Sequence, residues 1–220
     1  MFSDPGAPVD TLPPVLLIVR HGETAANAAR IVQVPETPLN ERGMAQAERL
    51  ATRLARHDRK RPIGSVVASD LRRAEMTAEP VAEALGLPLV IEPLLAERNF
   101  GDLRGRAYAD IGFDIMEPGY EPPAGEDWPS FHRRVDRAWA RIRELARETG
   151  GDSVFVTHGL VCHSLALFHL SLGDGLEQPD RWGNTSVTQV ENRAPWRATR
   201  INCCDHLDGS TTDGGQMSGI

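Results

Sequence analysis

The 220-residue sequence has only three cysteines, an odd number, with Cys203 beside Cys204 and Cys162 apart from them. Such a set builds no disulfide framework and points to a reducing, cytoplasmic setting. No apolar run is long enough to span a bilayer. Met1 to Pro14 carries Asp4, Asp10 and scattered prolines rather than a basic stretch followed by an apolar one, so neither a secretion signal nor a membrane anchor is expected. Positive charge is also in short supply: 24 Lys and Arg stand against 31 Asp and Glu, giving a formal net charge of -7. With a pI near 5.5, a general nucleic-acid surface or an anionic-membrane surface is not expected, and any cationic site must be local. There is no repeat at solenoid spacing. No heptad or exposed apolar stripe argues for an oligomer, although a homodimer is compatible with the chain.

What the chain does contain is an ordinary globular composition, 40% hydrophobic and 25% charged, with enough residues for one sizeable α/β core. We read a single domain over about residues 15–207, with a flexible segment at 1–14 and a Gly-, Ser- and Thr-rich flexible tail at 208–220. The organising stretch is Leu16-Leu17-Ile18-Val19-Arg20-His21-Gly22-Glu23-Thr24. An unbroken apolar run with β-branched residues, closed by polar groups and a glycine, reads as a central strand that delivers its last side chains to the carboxyl edge of a sheet.

Further elements follow the same logic. Glu41 to Arg56 has apolar positions at helical spacing behind Asn40 as N-cap. Ile63 to Ser69 is a second strand, and Ser69-Asp70-Leu71-Arg72-Arg73-Ala74 opens a helix reaching about Leu85, with Pro80 inside it. Leu87 to Ile91 is a short third strand. Residues 102–129 lack sustained periodicity and read as an elaborated loop or small cap. Its apolar members, among them Tyr108, Ile111 and Tyr120, suit either a cover for an uncharged leaving group or a local core. Trp128 to Glu148 is a long amphipathic helix stopped by Gly150-Gly151. Ser153 to Gly159 repeats the strand-histidine-glycine junction and leads into an apolar helix expected over Leu160 to Leu172. Thr185 to Glu191 and Trp196 to Asn202 form a hairpin. Strands alternating with helices predict an α/β fold, a three-layer α/β/α sandwich with a mostly parallel sheet.

His21 and His158 should therefore share one sheet edge, joined by Arg20 and by Arg73 at a helix N-terminus. Two guanidinium forks and two imidazoles around one point suit a dianionic phosphoryl group. A metal centre built from His158, Cys162, His163, Cys203, Cys204 and His206 is the competing reading, but those spacings match no recognised zinc pattern.

Arg20-His21-Gly22-Glu23-Thr24 with Asn27, Ser69-Asp70-Leu71-Arg72-Arg73-Ala74 with Thr77-Ala78, Glu97 before Phe100-Gly101, Gly125-Glu126 and Val156-Thr157-His158-Gly159 together resemble the histidine phosphatase superfamily, in its phosphoglycerate mutase-like branch. The resemblance implies that His21 is the nucleophile and carries a transient phosphohistidine. It implies that Arg20, Asn27, Arg73, His158 and Gly159 hold the phosphoryl group, and that Glu97 is the general acid, then base. Glu92 and Glu126 are nearby rivals for that last role. Of the adjacent arginines, the family pattern selects Arg73 for the pocket and leaves Arg72 at the surface. No metal or other cofactor is implied.

Leu103 and Arg104 depart from the pattern, standing where the family commonly shows an aromatic residue and a glutamate; Ala26 replaces a frequent aromatic. Mutases of the family use a longer insertion with an arginine pair and a lysine, whereas this chain has no lysine between Glu97 and His158. The expected activity is thus a metal-independent phosphomonoesterase acting on a small phosphorylated metabolite. A phosphoglycerate mutase and a catalytically silent phosphate-binding module are the alternatives.

Overall fold

The computed structural model describes residues 13–207. Most of the segment expected at 1–14 and all of the tail at 208–220 lie outside the described residues. The elements run β1 (Val15–Arg20), α1 (Ala25–Ala28), α2 (Glu41–Asp58), β2 (Ile63–Ala68), α3 (Arg72–Leu85), β3 (Leu89–Ile91), α4 (Trp128–Glu148), β4 (Asp152–Thr157), α5 (Gly159–Phe168), β5 (Ser171–Leu172), β6 (Val187–Glu191) and β7 (Arg197–Cys203).

The strands form one seven-stranded sheet in the order β3-β2-β4-β1-β6-β7-β5. The pairs β3/β2, β2/β4, β4/β1 and β5/β7 are parallel, while β6 is antiparallel to both of its neighbours. β6 is therefore the one strand that opposes the rest, which keeps the sheet mostly parallel. Central position explains why β1 and β4 are buried at all six residues each: such strands have helices on both faces and need no polar alternation.

Alternate residues of β1 sort the core into two halves. Leu16 and Ile18 join Phe131, Val135, Trp139 and Ile142 of α4 and Val161 and Leu165 of α5. Val15, Leu17 and Val19 join Leu50 and Leu54 of α2 and Ala74, Ala78 and Val81 of α3. Period-two side-chain direction thus produces the helix, sheet, helix layering.

Two elements end differently from their expected limits. The apolar run after His158 stops being helical at Phe168, where Leu167 and Phe168 are more than half exposed. Ser171 and Leu172 instead pair with Arg197 and Ala198, because an unpaired edge of β7 is available there. The third strand begins at Leu89 rather than Leu87, since Gly86 closes α3 in a left-handed turn (φ 65°) and Leu87 is spent leaving it.

Residues 102–127 contain short 3-10 turns and a single β-bridge residue, Ala107, and their apolar side chains have a core of their own. Phe100, Leu103, Ile111 and Ile115 bury against Val32, with Tyr108, Met116 and Tyr120 packed around them. Arg98 pins this segment from within, donating to the carbonyls of Glu126, Ile115 and Tyr120 at 3.0, 3.2 and 2.8 Å. Its guanidinium also lies 4.0 Å from the centre of the Trp128 ring. Among the described residues, no helix is long and apolar enough to cross a membrane.

Candidate active site

Parallel pairing of β1 with β4 sets Arg20 opposite Thr157, so the next residues, His21 and His158, emerge side by side. The amide of His21 donates to the Thr157 carbonyl at 2.9 Å, and the two imidazole rings lie 5.1 Å apart, tilted by 53°. Both rings are buried, His158 completely.

The glycine after His21 has a steric cause. A Cβ on Gly22 would stand 2.8 Å from the Gly43 carbonyl oxygen, and one on Gly43 would stand 2.0 Å from the Glu23 carbonyl oxygen. The chain leaving β1 and the first turn of α2 touch backbone to backbone, which only glycines permit. Thr77 of α3 then ties the strand end to the next helix, accepting from the Gly22 amide at 2.9 Å and donating to the Arg73 carbonyl at 2.6 Å.

His21 is held in one tautomer. Its Nδ1 sits 2.7 Å from the Gly22 carbonyl, which can only accept, so Nδ1 carries the proton and Nε2 keeps its lone pair. Burial, reinforced by the charges of Arg73 and Arg20, pushes its pKa well below the ordinary histidine value, and the ring stays neutral. His158 is depressed for the same reasons, burial first and Arg73 next. Its Nε2 lies 2.9 Å from Ser69 Oγ, and its buried Nδ1 has no partner.

One pocket is lined by His21, Asn27, Arg73 and Glu97 together, with Tyr108 and Arg104 at its outer side. Arg20 and His158 stand behind that surface rather than on it. Arg20 donates to the Trp182 carbonyl and is almost fully buried. Gly159 opens α5 next to His158 but lines a neighbouring small cavity with Arg20 and Trp182, not the pocket of His21.

Arg73 donates Nη1 to the Val34 carbonyl at 3.2 Å, and its buried Nε has no partner. Burial, with Arg20 and Arg104 adding to it against the pull of Glu97, lowers Arg73 to about 10. Arg72, one residue earlier, points to solvent and pairs with Glu79 at 2.8 Å and Glu75 at 3.3 Å. The helical 100° step between them separates a pocket residue from a surface residue.

Of the three glutamates, only Glu97 reaches the pocket. Its carboxylate accepts from the amides of Arg98 at 2.9 Å and Leu160 at 3.1 Å. Burial raises its pKa above the usual glutamate value despite those two amides and the charges of Arg73 and Arg20. Glu92 is taken up by Arg141 at 3.2 Å. Glu126 lies in a two-pronged pairing with Arg134 at 2.8 and 2.7 Å. Burial would raise Glu126, but the Arg134 fork and the Asn99 amide outweigh it and hold the carboxyl below its usual value.

The same Arg134 fixes the chain that carries Glu97. It donates to the carbonyls of Leu94, Ala96 and Glu97 at 3.0, 2.7 and 3.1 Å. Sequence reasoning missed Arg134, whose signal was only a charge on the face of an amphipathic helix. It also missed Asn184, which donates to the His21 carbonyl at 3.0 Å from a loop with no motif.

Helix ends complete the arrangement. α1, α2 and α4 have side-chain N-caps from Thr24, Asn40 and Asp127. α3, which opens at the pocket with Arg73, and α5, which opens just after His158, have no side-chain cap bond. Their N-terminal amides are left for other acceptors, as Glu97 already is for Leu160. The alternative metal site is not assembled: no group of three or more His, Cys, Asp or Glu among the described residues could hold a metal ion.

A three-layer sheet that delivers paired histidines from adjacent parallel strands, with a buried arginine on the flanking helix, places this chain in a known class. It belongs to the histidine phosphatase superfamily (branch 1), which residues 16–203 match. Among its relatives is a probable phosphoglycerate mutase, GpmB, of Yersinia pestis, 33% identical over 193 residues that cover 83% of this chain and 87% of that protein. Similar solved structures include a mycobacterial glucosyl-3-phosphoglycerate phosphatase complexed with VO3, at 27% identity and TM-score 0.71, covering 86% of this chain and 99% of that one. Another is a putative alpha-ribazole-5'-P phosphatase from Escherichia coli, at 27% identity and TM-score 0.68, covering 86% and 94%.

Proposed function

We propose that the protein is a metal-independent phosphomonoesterase that works through a phosphohistidine on His21. The observation that carries this reading is the neutral, buried imidazole whose Nδ1 is engaged by its own glycine carbonyl, leaving Nε2 as a lone-pair donor beside Arg73.

Nε2 attacks phosphorus in line, and the bond to the leaving oxygen breaks as Glu97 gives that oxygen its proton. Charge that develops on the phosphoryl oxygens is met by Arg73 and Arg20, by Asn27 and by the unpartnered Nδ1 of His158. For that last contact Ser69 donates its hydroxyl proton to His158 Nε2, so that Nδ1 is the protonated nitrogen. Glu97, now ionised, takes a proton from water, whose oxygen attacks the phosphohistidine and releases inorganic phosphate. The raised pKa of Glu97 suits a group that must give a proton and take one back near neutral pH.

The named phosphatases among the similar structures support hydrolysis, whereas the Yersinia relative supports a mutase. We favour water as the acceptor because the chain has no lysine between Glu97 and His158 to retain a bisphosphorylated intermediate. A cytoplasmic setting belongs to the same reading and is supported by three cysteines that are all free thiols.

The test is release of inorganic phosphate in excess chelator from p-nitrophenyl phosphate, sugar phosphates and phosphoglycerates. We expect turnover that survives chelation and falls roughly 10³-fold or more in His21→Ala. Turnover that vanishes with chelator, or persists in His21→Ala, would overturn the mechanism.

A further inference from the structure

The pocket carries more positive charge than one phosphoryl group uses. Arg73 and Arg20 serve the phosphoryl oxygens in the reading above, yet Arg104 and Arg30 line the same pocket farther out. Neither forms an ion pair or hydrogen bond through its guanidinium among the described residues. Other arginines of this chain, whose net charge is -7, are neutralised in place: Arg72, Arg134, Arg141, Arg193, Arg197 and Arg200 all have carboxylate partners.

Backbone pairing fixes where the two guanidiniums start from. Val32 accepts from the Gly105 amide at 2.7 Å and donates to the Arg106 carbonyl at 2.9 Å, while the Tyr108 amide donates to the Arg30 carbonyl at 2.9 Å. Ile31 and Ala107 complete this small antiparallel bridge. It joins the chain after α1 to the segment after Phe100, so that Arg30 and Arg104 rise from the two facing sides of one pocket wall. Arg30 adopts a left-handed backbone (φ 54°), a conformation that costs a non-glycine residue about 1 kcal/mol or more and turns the chain into the bridge.

Arg104 is half-buried and lies between the pocket of His21 and the adjoining groove lined by Asp70, Asn99 and Glu126. Its charge is felt at Arg73. Glu97 is the only acid on the pocket wall, and it must be protonated when substrate binds.

We propose that Arg104, assisted by Arg30, forms a second anion site, so that the preferred substrate is a small phosphomonoester whose leaving group itself bears a carboxylate or a second phosphate. This rests on the phosphomonoesterase reading and narrows it. A guanidinium fork suits either anion.

The experiment compares kcat/KM for three substrates on one short carbon chain: glycerol 3-phosphate, 3-phosphoglycerate, and propane-1,3-diol bisphosphate. At least one charged member should exceed glycerol 3-phosphate by roughly tenfold or more. Whichever leads identifies the anion. In Arg104→Gln the ratio of charged to neutral substrate should collapse towards about 1, with a smaller loss in Arg30→Gln. The ratio is decisive, whatever the absolute rate. A wild-type ratio near 1, or a ratio that survives in both variants, would overturn the second site while leaving the phosphatase intact. Should none of the three substrates, nor p-nitrophenyl phosphate, release phosphate, the phosphatase reading fails instead. Calorimetric titration of the wild-type protein with 3-phosphoglycerate and glycerol 3-phosphate then decides the second site: tighter binding of the acid, lost in Arg104→Gln, supports it, and equal binding refutes it.

Discussion

Strand β4 begins at Asp152 and ends at Thr157, and the charged groups at its two ends are treated in opposite ways. At the first end the Asp152 carboxylate is buried and fully matched. It accepts from Arg61 through both oxygens at 2.9 Å, from His57 at 2.6 Å and from the Val15 amide at 2.8 Å. At the other end two imidazoles and the Arg73 guanidinium are equally buried, yet Arg73 has no salt bridge and a histidine nitrogen has no partner at all. The same strand thus ties the start of β1 to α2 at one edge and holds two neutral imidazoles beside a guanidinium with no salt bridge at the other. Buried charge that is satisfied locks a fold; buried charge left waiting favours an anion that arrives later.

The largest effect that tests this contrast is on catalysis. Arg73→Ala should lower kcat/KM by roughly 10²–10³-fold with little loss of thermal stability, because no carboxylate is orphaned and the Val34 carbonyl keeps the Thr37 amide as a donor. Arg72→Ala, which breaks only exposed pairs, should stay within about twofold. Equal losses in steady-state assays would show that the two arginines do not differ as their placement says.

Next in size is the matched end. Asp152→Ala leaves Arg61 and His57 facing a half-buried space and should cost about 3 kcal/mol in urea unfolding, while kcat per folded molecule stays near wild type. A large loss of kcat with unchanged stability would reverse the comparison.

The smallest effect is a difference in acid sensitivity. His21 and His158 have folded pKa values well below the unfolded value of 6.5, so the unfolded chain binds protons that the folded chain refuses. Stability should be full above about pH 6.5 and fall as pH drops through it, by at most about 1.4 kcal/mol per pH unit for each ring. Asp152, depressed below 3.8 despite its burial, contributes stability that persists to lower pH and is lost only as pH falls beneath that value. Denaturation curves collected from pH 7 to pH 3 should therefore show two declines, and His158→Gln should shrink the first alone. A flat profile between pH 7 and pH 5 would contradict the neutral burial of the pair.

Much of this was legible before any coordinates. Runs such as Leu16 to Val19 and Val154 to Val156 announce buried strands because a strand covered on both faces has no polar side to show. Parallel pairing then brings His21 and His158 together. What was hidden depends on geometry that periodicity does not encode. The end of α5 carries no glycine or proline, so the apolar pattern continues past Phe168 while the backbone changes to a strand. Arg98 and Arg134 read as ordinary charges, yet their hydrogen bonds are spent on carbonyls of the segment around Glu97 and the cap. The aromatic residues after Glu97 were compatible with a cover for an uncharged leaving group or with a local core. In the structure they pack mainly on one another, and the charged Arg104 lines the pocket instead.

The hydroxyl of Thr77 has a wider meaning. One oxygen receives the amide of Gly22 and donates its own proton to the carbonyl of Arg73, so the residue after His21 and the helix that presents Arg73 meet at a single hydroxyl. The spacing between nucleophile and cation is thereby gauged by a pair of hydrogen bonds, not by the drift of two large layers. A breathing motion of α3 against the sheet would have to carry both partners along, and the tolerance of the site is correspondingly that of a hinge pin, not of the walls it joins.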